Sequence, residues 1–346
     1  MTFVPLKMGT KELAFRKGTV APSFGAPTVL VSDPWDYVEL WIKREATKEA
    51  LFFWQQARHF FGASLELPKT ASPLTSYYCF LNASKALLAV KGIPVTEHHG
   101  VSGATQGEKV ALANESVTFG KSGVLAGLCQ YLGENTGSTY TLKDIFYNLP
   151  YIHRAYTLTY GSQPELFFPV TNPRYVRKDG SSESWFCAEI SDKKLQTEHT
   201  INKLPDGFER DMGLPKEWVI RRKKRFDWKR GKGERAANLA RLRSYHQSTR
   251  ADVQYIHGPM RLWYFKRGGV PTGAIARSPM TLTFAAMHRI SSIARYQPLI
   301  LAKHFDSKHN WLLSEFLATA LHQFCDELAS EITGQEFMIP GRKFVS

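Results

Sequence analysis

The stretch Ser72-Pro-Leu-Thr-Ser-Tyr-Tyr-Cys-Phe-Leu-Asn-Ala-Ser-Lys-Ala-Leu-Leu88 constrains the fold more than any other part of the chain. Ser72 is placed to cap orphan N–H groups, and Pro73 suits the first helical position. Tyr77, Phe80, Leu81, Ser84 and Leu88 recur at i, i+3, i+4, i+7 and i+11, which is one buried helical stripe. Tyr78, Asn82 and Lys85 run along another face, where the apolar stripe would hold them within hydrogen-bonding reach of one another. His98-His-Gly-Val-Ser102 follows closely. Tyr78, Asn82, Lys85 and His99 therefore form a candidate polar network beside the core.

Helices punctuate the chain on both sides. Asp33-Pro34 opens a helical region in which Ala50, Trp54, Ala57 and Phe61 share one face. Thr141-Leu-Lys-Asp144 fits a capping box, and its helix ends near Leu149-Pro150. Ser278-Pro279 repeats the cap-then-proline start. Leu282, Ala286, Ile290 and Ile293 give that helix its core stripe, while His288, Ser292 and Arg295 line another face. Pro298 interrupts it, and Leu313, Leu317, Ala320, Phe324 and Leu328 mark a last helix ended by Gly334.

Between these helical parts the pattern changes. Glu165–Val170, Ser184–Ile190, Val253–His257 and Met260–Lys266 are rich in aromatic and β-branched residues and read as strands. The expected fold is α+β and mainly α-helical, with two helical halves packed together and a β-rich insertion between them in sequence. The expected divisions are an N-terminal arm (1–30), an N-terminal helical half (31–155), the insertion (156–270) and a C-terminal helical half (271–346). The arm carries Gly9, Gly18, Pro22, Gly25 and Pro27 and reads as a loose lead-in.

The run 77–86, then His99-Gly-Val-Ser102, resembles the YaaC-like family of bacterial proteins. Asp33-Pro-Trp35 and Ser291-Ser-Ile-Ala-Arg-Tyr-Gln-Pro298 agree with it. The resemblance covers roughly 30–155 and 275–335. It implies an architecture and brings no catalytic residues with it.

The formal net charge of +14 favours a polyanionic partner, most simply DNA or RNA. The charge is concentrated in the segment 219–243. Arg221, Arg222, Lys223, Lys224, Arg225, Lys229, Arg230, Lys232 and Arg235 stand against only Asp227 and Glu234, and Phe226 and Trp228 lie among them. Rings in such a run can stack on unpaired bases while the cations neutralise phosphates. The expected function is nucleic-acid binding without catalysis, as one component of a larger assembly, and a solvated loop or a scaffold that docks on an acidic protein is the alternative.

Catalytic signals are sparser. Arg250 and His257 have the Arg-x6-His spacing of metal-independent HEPN-type nucleases, some of which would act in defence against phage or mobile elements. However, Val253, Tyr255 and His257 alternate as in a strand rather than lying on one helix. A composite site is the other expectation, with His99, Asn82 and Lys85 facing His288 and Arg295. A buried polar network that joins the two helical halves would account for the same residues.

Cys79, Cys129, Cys187 and Cys325 are far apart and form no Cys-x-x-Cys pair, so no zinc or redox motif is expected and reduced cytosolic thiols are. No metal or other cofactor is expected. Gly100–Gly107 lacks the Gly-Lys-Ser/Thr ending of a Walker loop, and Glu189–Lys194 only loosely approaches a restriction-nuclease motif. No run of about 18 apolar residues occurs, so no membrane partner is expected.

Overall fold

A computed structural model describes residues 3–94, 96–213, 218–269 and 273–339, and leaves the Lys232 side chain undescribed. The chain is α+β and mainly α-helical. It forms two compact units. One joins residues 1–27 to 165–272, and the other joins 28–164 to 273–346.

The helical unit is built on the Ser72–Val90 helix. Tyr77, Phe80, Leu81, Ser84 and Leu88 are all buried, as the stripe requires. Phe80 stacks on Phe324 of the Asn310–Thr333 helix with ring centroids 4.1 Å apart. Tyr77 meets Phe284 of the Pro279–Tyr296 helix edge to face. The two helical stretches that flank the β-rich part in sequence thus share one core.

Ser72 does not act as the cap. The preceding turn runs directly into the helix, and the Pro68 carbonyl accepts from the N–H groups of both Ala71 and Ser72, so a side-chain cap is not needed there. The other start signals form. Asp33 accepts from the Trp35 N–H at 2.8 Å, Thr141 and Asp144 make a reciprocal capping box, and Ser278 accepts from the Met280 N–H. Pro298 divides the Pro279–Tyr296 helix from the Pro298–Phe305 helix, and Gly334, at φ +71°, closes the last one.

The second unit is an eight-stranded antiparallel sheet. Its main order is 208–210, 219–222, 183–190, 167–178, 262–266, 253–256. The Arg235–Arg250 helix contributes Leu242 and Tyr245 to the sheet's core, beside Phe168, Tyr175, Phe186 and Phe265. Residues 3–27 pack on this sheet and are not a loose arm. Phe3–Pro5 pairs with Arg177 and its neighbours, Ala14 bridges Arg174, and Leu6, Leu13, Phe15 and Phe24 are buried in this core. The apolar alternation of Leu13 and Phe15 outweighs the glycines around it.

Candidate functional site

The basic segment folds differently from its charge pattern. Phe226–Asp227 is a short strand paired with Glu183–Ser184. Phe226 and Trp228 both point inward and are less than a tenth exposed. Phe226 packs on Tyr245 with ring centroids 4.5 Å apart. The expected base-stacking role of these two rings is therefore withdrawn: the alternation of rings and charges is the two-residue period of a half-buried strand.

Three of the arginines are also committed within the unit. Arg221 bonds Glu209 at 2.8 Å and Asp211 at 3.2 Å. Arg222 donates to the Tyr245 carbonyl and to the Ser248 and Thr249 hydroxyls. Arg225 pairs with Glu183 and covers the Trp185 ring. Lys223, Lys224, Lys229, Arg230 and Arg235 are exposed. Lys232 lies outside the described side chains.

Arg250 and His257 do not share a helix. Arg250 is buried at the end of its helix, where its guanidinium donates to the Val253 and Lys17 carbonyls, and His257 follows the Val253–Ile256 strand.

Of the expected composite set, His99 and His288 come together beside Tyr77 in the helical unit, and Asn82 does not join them. Tyr77 hydrogen-bonds His99 through Oη and Nδ1. The His99 and His288 rings lie with centroids 5.8 Å apart, and the Tyr77 and His288 rings meet at 4.9 Å. Arg295 lies two turns beyond His288 on the Pro279–Tyr296 helix, which puts the two on one helix face. The Lys85 ammonium sits over the Phe53 ring.

The Tyr78–Asn82–Lys85 line does not form as a side-chain network. Asn82 donates to the Tyr78 carbonyl of its own helix, and Tyr78 stacks on Phe60. Tyr77, read from its spacing as a purely apolar stripe residue, supplies the bond to His99 instead.

Local backbone geometry fixes His99. The Val124–Leu132 helix uses its first N–H groups on the His98 and His99 carbonyls, at 2.9 and 3.1 Å. This close approach needs Gly123 at φ +97°, because a Cβ there would lie 2.5 Å from the His98 carbonyl oxygen.

Burial first, then Arg295 and Lys85, hold the His99 pKa below its usual range. Burial, followed by His99 and Arg295, pushes His288 down to about 4. Burial pushes the Tyr77 phenol up, so it stays a hydroxyl. His288 Nδ1 is buried with no hydrogen-bond partner among the described residues. Among the described residues, no carboxylate pairs with Lys85 or Arg295. The His99 and His288 imidazoles and the Tyr77 phenol thus meet at one place, with Arg295 on the same helix face as His288.

A buried ion pair supports it. Glu115 is fully buried and accepts from Arg289 at 2.6 and 3.2 Å, from His304 at 3.1 Å and from Thr105 at 3.0 Å. Arg289 adjoins His288, so this network anchors the helix that carries the imidazole. The spacing of apolar residues gave no sign of the pairing, because Glu115 and Arg289 are 174 residues apart.

The family described as YaaC-like Protein matches residues 25–332. The chain belongs to the YaaC-like family. The YaaC-like match runs through both helical stretches and the β-rich unit, beyond the two end segments where the sequence resemblance was read. No curated protein and no solved structure matches this YaaC-like chain. Among the described residues, no group of three or more His, Cys, Asp or Glu side chains is arranged to hold a metal ion, and no helix is long and apolar enough to cross a membrane.

Proposed function

We propose that this protein binds RNA and cleaves it without a metal ion at the Tyr77–His99–His288–Arg295 cluster. The observation that carries the reading is the meeting of two imidazoles, 5.8 Å apart, against the Tyr77 phenol, with Arg295 on the same helix face as His288. A bound phosphodiester supplies the missing negative charge and raises both imidazole pKa values toward the working range. RNA also carries its own nucleophile. One imidazole takes the proton of the 2′-hydroxyl as its oxygen bonds to phosphorus. The other gives a proton to the departing 5′-oxygen as the P–O bond breaks, leaving a 2′,3′-cyclic phosphate and a 5′-hydroxyl.

We assign the Tyr77 hydroxyl as donor to His99 Nδ1, which places the neutral ring's proton on Nε2. Lys85 and Arg295 steady the non-bridging oxygens.

A contributing, sequence-independent term comes from Lys223, Lys224, Lys229, Arg230, Arg235 and Arg243, which remain exposed on the β-rich unit. These cations support salt-dependent attraction of a phosphate chain without base stacking.

The test is incubation of single-stranded RNA and DNA of one sequence with purified protein in chelator. RNA with cyclic-phosphate ends and intact DNA are expected. His99→Ala and His288→Ala, prepared identically, should each lower the rate by about 10²–10⁴. Intact RNA, or equal cleavage by all three proteins, would remove the reading.

A further inference from the structure

We infer that Tyr296 is a stacking platform for an unpaired base next to the phosphate held by Arg295, which makes single-stranded RNA the substrate class. The inference rests on the RNA reading of the cluster above.

Arg295 and Tyr296 close the Pro279–Tyr296 helix, where Gln297 leaves helical geometry before Pro298. The Tyr296 ring is 68% exposed. An exposed ring alone needs no explanation. This ring, however, carries the Arg295 guanidinium 4.3 Å from its centroid, and Arg295 lies seven residues along the same helix face from His288. Stacking on a ring restrains the guanidinium as a planar fork while leaving its N–H edges free for phosphate oxygens. With the residue this exposed, a base would stack on the ring surface that the guanidinium leaves. Phosphate and base of one nucleotide thus find adjacent partners at positions 295 and 296. A base buried in a duplex stack offers no free face, so an unpaired strand is selected.

The probe is a short fluorescent 2′-O-methyl RNA, which binds but lacks the attacking hydroxyl. Three forms are titrated against the full-length protein: the intact strand, the same strand with abasic positions, and its duplex. Tyr296→Ala should weaken binding of the intact strand about tenfold and leave the abasic strand unchanged, while Tyr296→Trp keeps parental affinity. The parent should prefer the single strand to the duplex.

Parental affinity in Tyr296→Ala, with affinity lost in Arg295→Ala, overturns the platform and leaves the RNA site standing. Equal binding of duplex and single strand by the parent also overturns it. No binding by the parent, or no effect of Arg295→Ala and Lys85→Ala, overturns the site reading and the platform together.

Discussion

Replacing Arg289 by Met tests whether the buried ion pair holds the site's scaffold. Methionine keeps most of the side-chain length and removes the charge. Glu115 then loses the two guanidinium bonds, at 2.6 and 3.2 Å, and keeps only His304 and Thr105. Both partners are almost wholly buried, so water cannot replace what is removed. Breaking a buried pair in this way costs about 3–5 kcal/mol, since an uncompensated charge is left behind. In the parent, burial raises the Glu115 carboxyl pKa, but bonds from His304 and Arg289 outweigh it and the net shift is downward. A carboxylate with a depressed folded pKa contributes stability that is present above its unfolded value and is lost as pH falls through the folded one. Arg289→Met removes that contribution near neutral pH. The assay is urea unfolding at pH 7 for the parent, Arg289→Met and Glu115→Gln/Arg289→Met. The double variant should be more stable than the single one, because the stranded charge is gone. A loss of less than about 1 kcal/mol in Arg289→Met, or no recovery in the double variant, would refute the reasoning.

Other predictions follow from the same physical arguments. Burial holds His246 near 3 and His288 and His309 near 4 in the folded state, so each stays neutral while its unfolded counterpart takes up a proton. Stability from these groups is complete above the unfolded histidine pKa of about 6.5 and should fall steadily as pH drops from there toward 4, as read by unfolding midpoints across pH. Gly123→Ala forces a Cβ against the His98 carbonyl at positive φ; a stability loss of about 1–3 kcal/mol and a shifted His99 imidazole NMR signal are expected. Phe226→Ala should cost about 3–5 kcal/mol of stability in denaturant titration, as a core truncation does, where loss of a surface ring would cost little.

The sequence exposed the helical core well, because its information is local. The stripes from Tyr77 to Leu88 and from Leu282 to Ile293 depend only on residues one or two turns apart, and they are buried as their spacing requires. The meeting of His99 with His288 was legible only as an expectation, since it depends on how the loop before Val101 packs against two separate helices. The basic segment misled for two physical reasons. Rings alternating with charges match a nucleic-acid stacking motif and a half-buried strand equally well, and only pairing with Glu183–Ser184 decides between them. The carboxylates that neutralise Arg221 and Arg225 come from Glu209, Asp211 and Glu183, outside the run itself. Tyr77 shows the same limit at the site, since its ring is a core residue while its hydroxyl holds His99.

The account is tested most directly by end-group analysis of single-stranded RNA after incubation with the protein in chelator, alongside His288→Ala. It predicts new 2′,3′-cyclic phosphate termini from the parent, a bell-shaped dependence of their formation on pH, and almost none from the variant. Unbroken RNA with the parent, or identical termini formed at equal rates by both proteins, would contradict it.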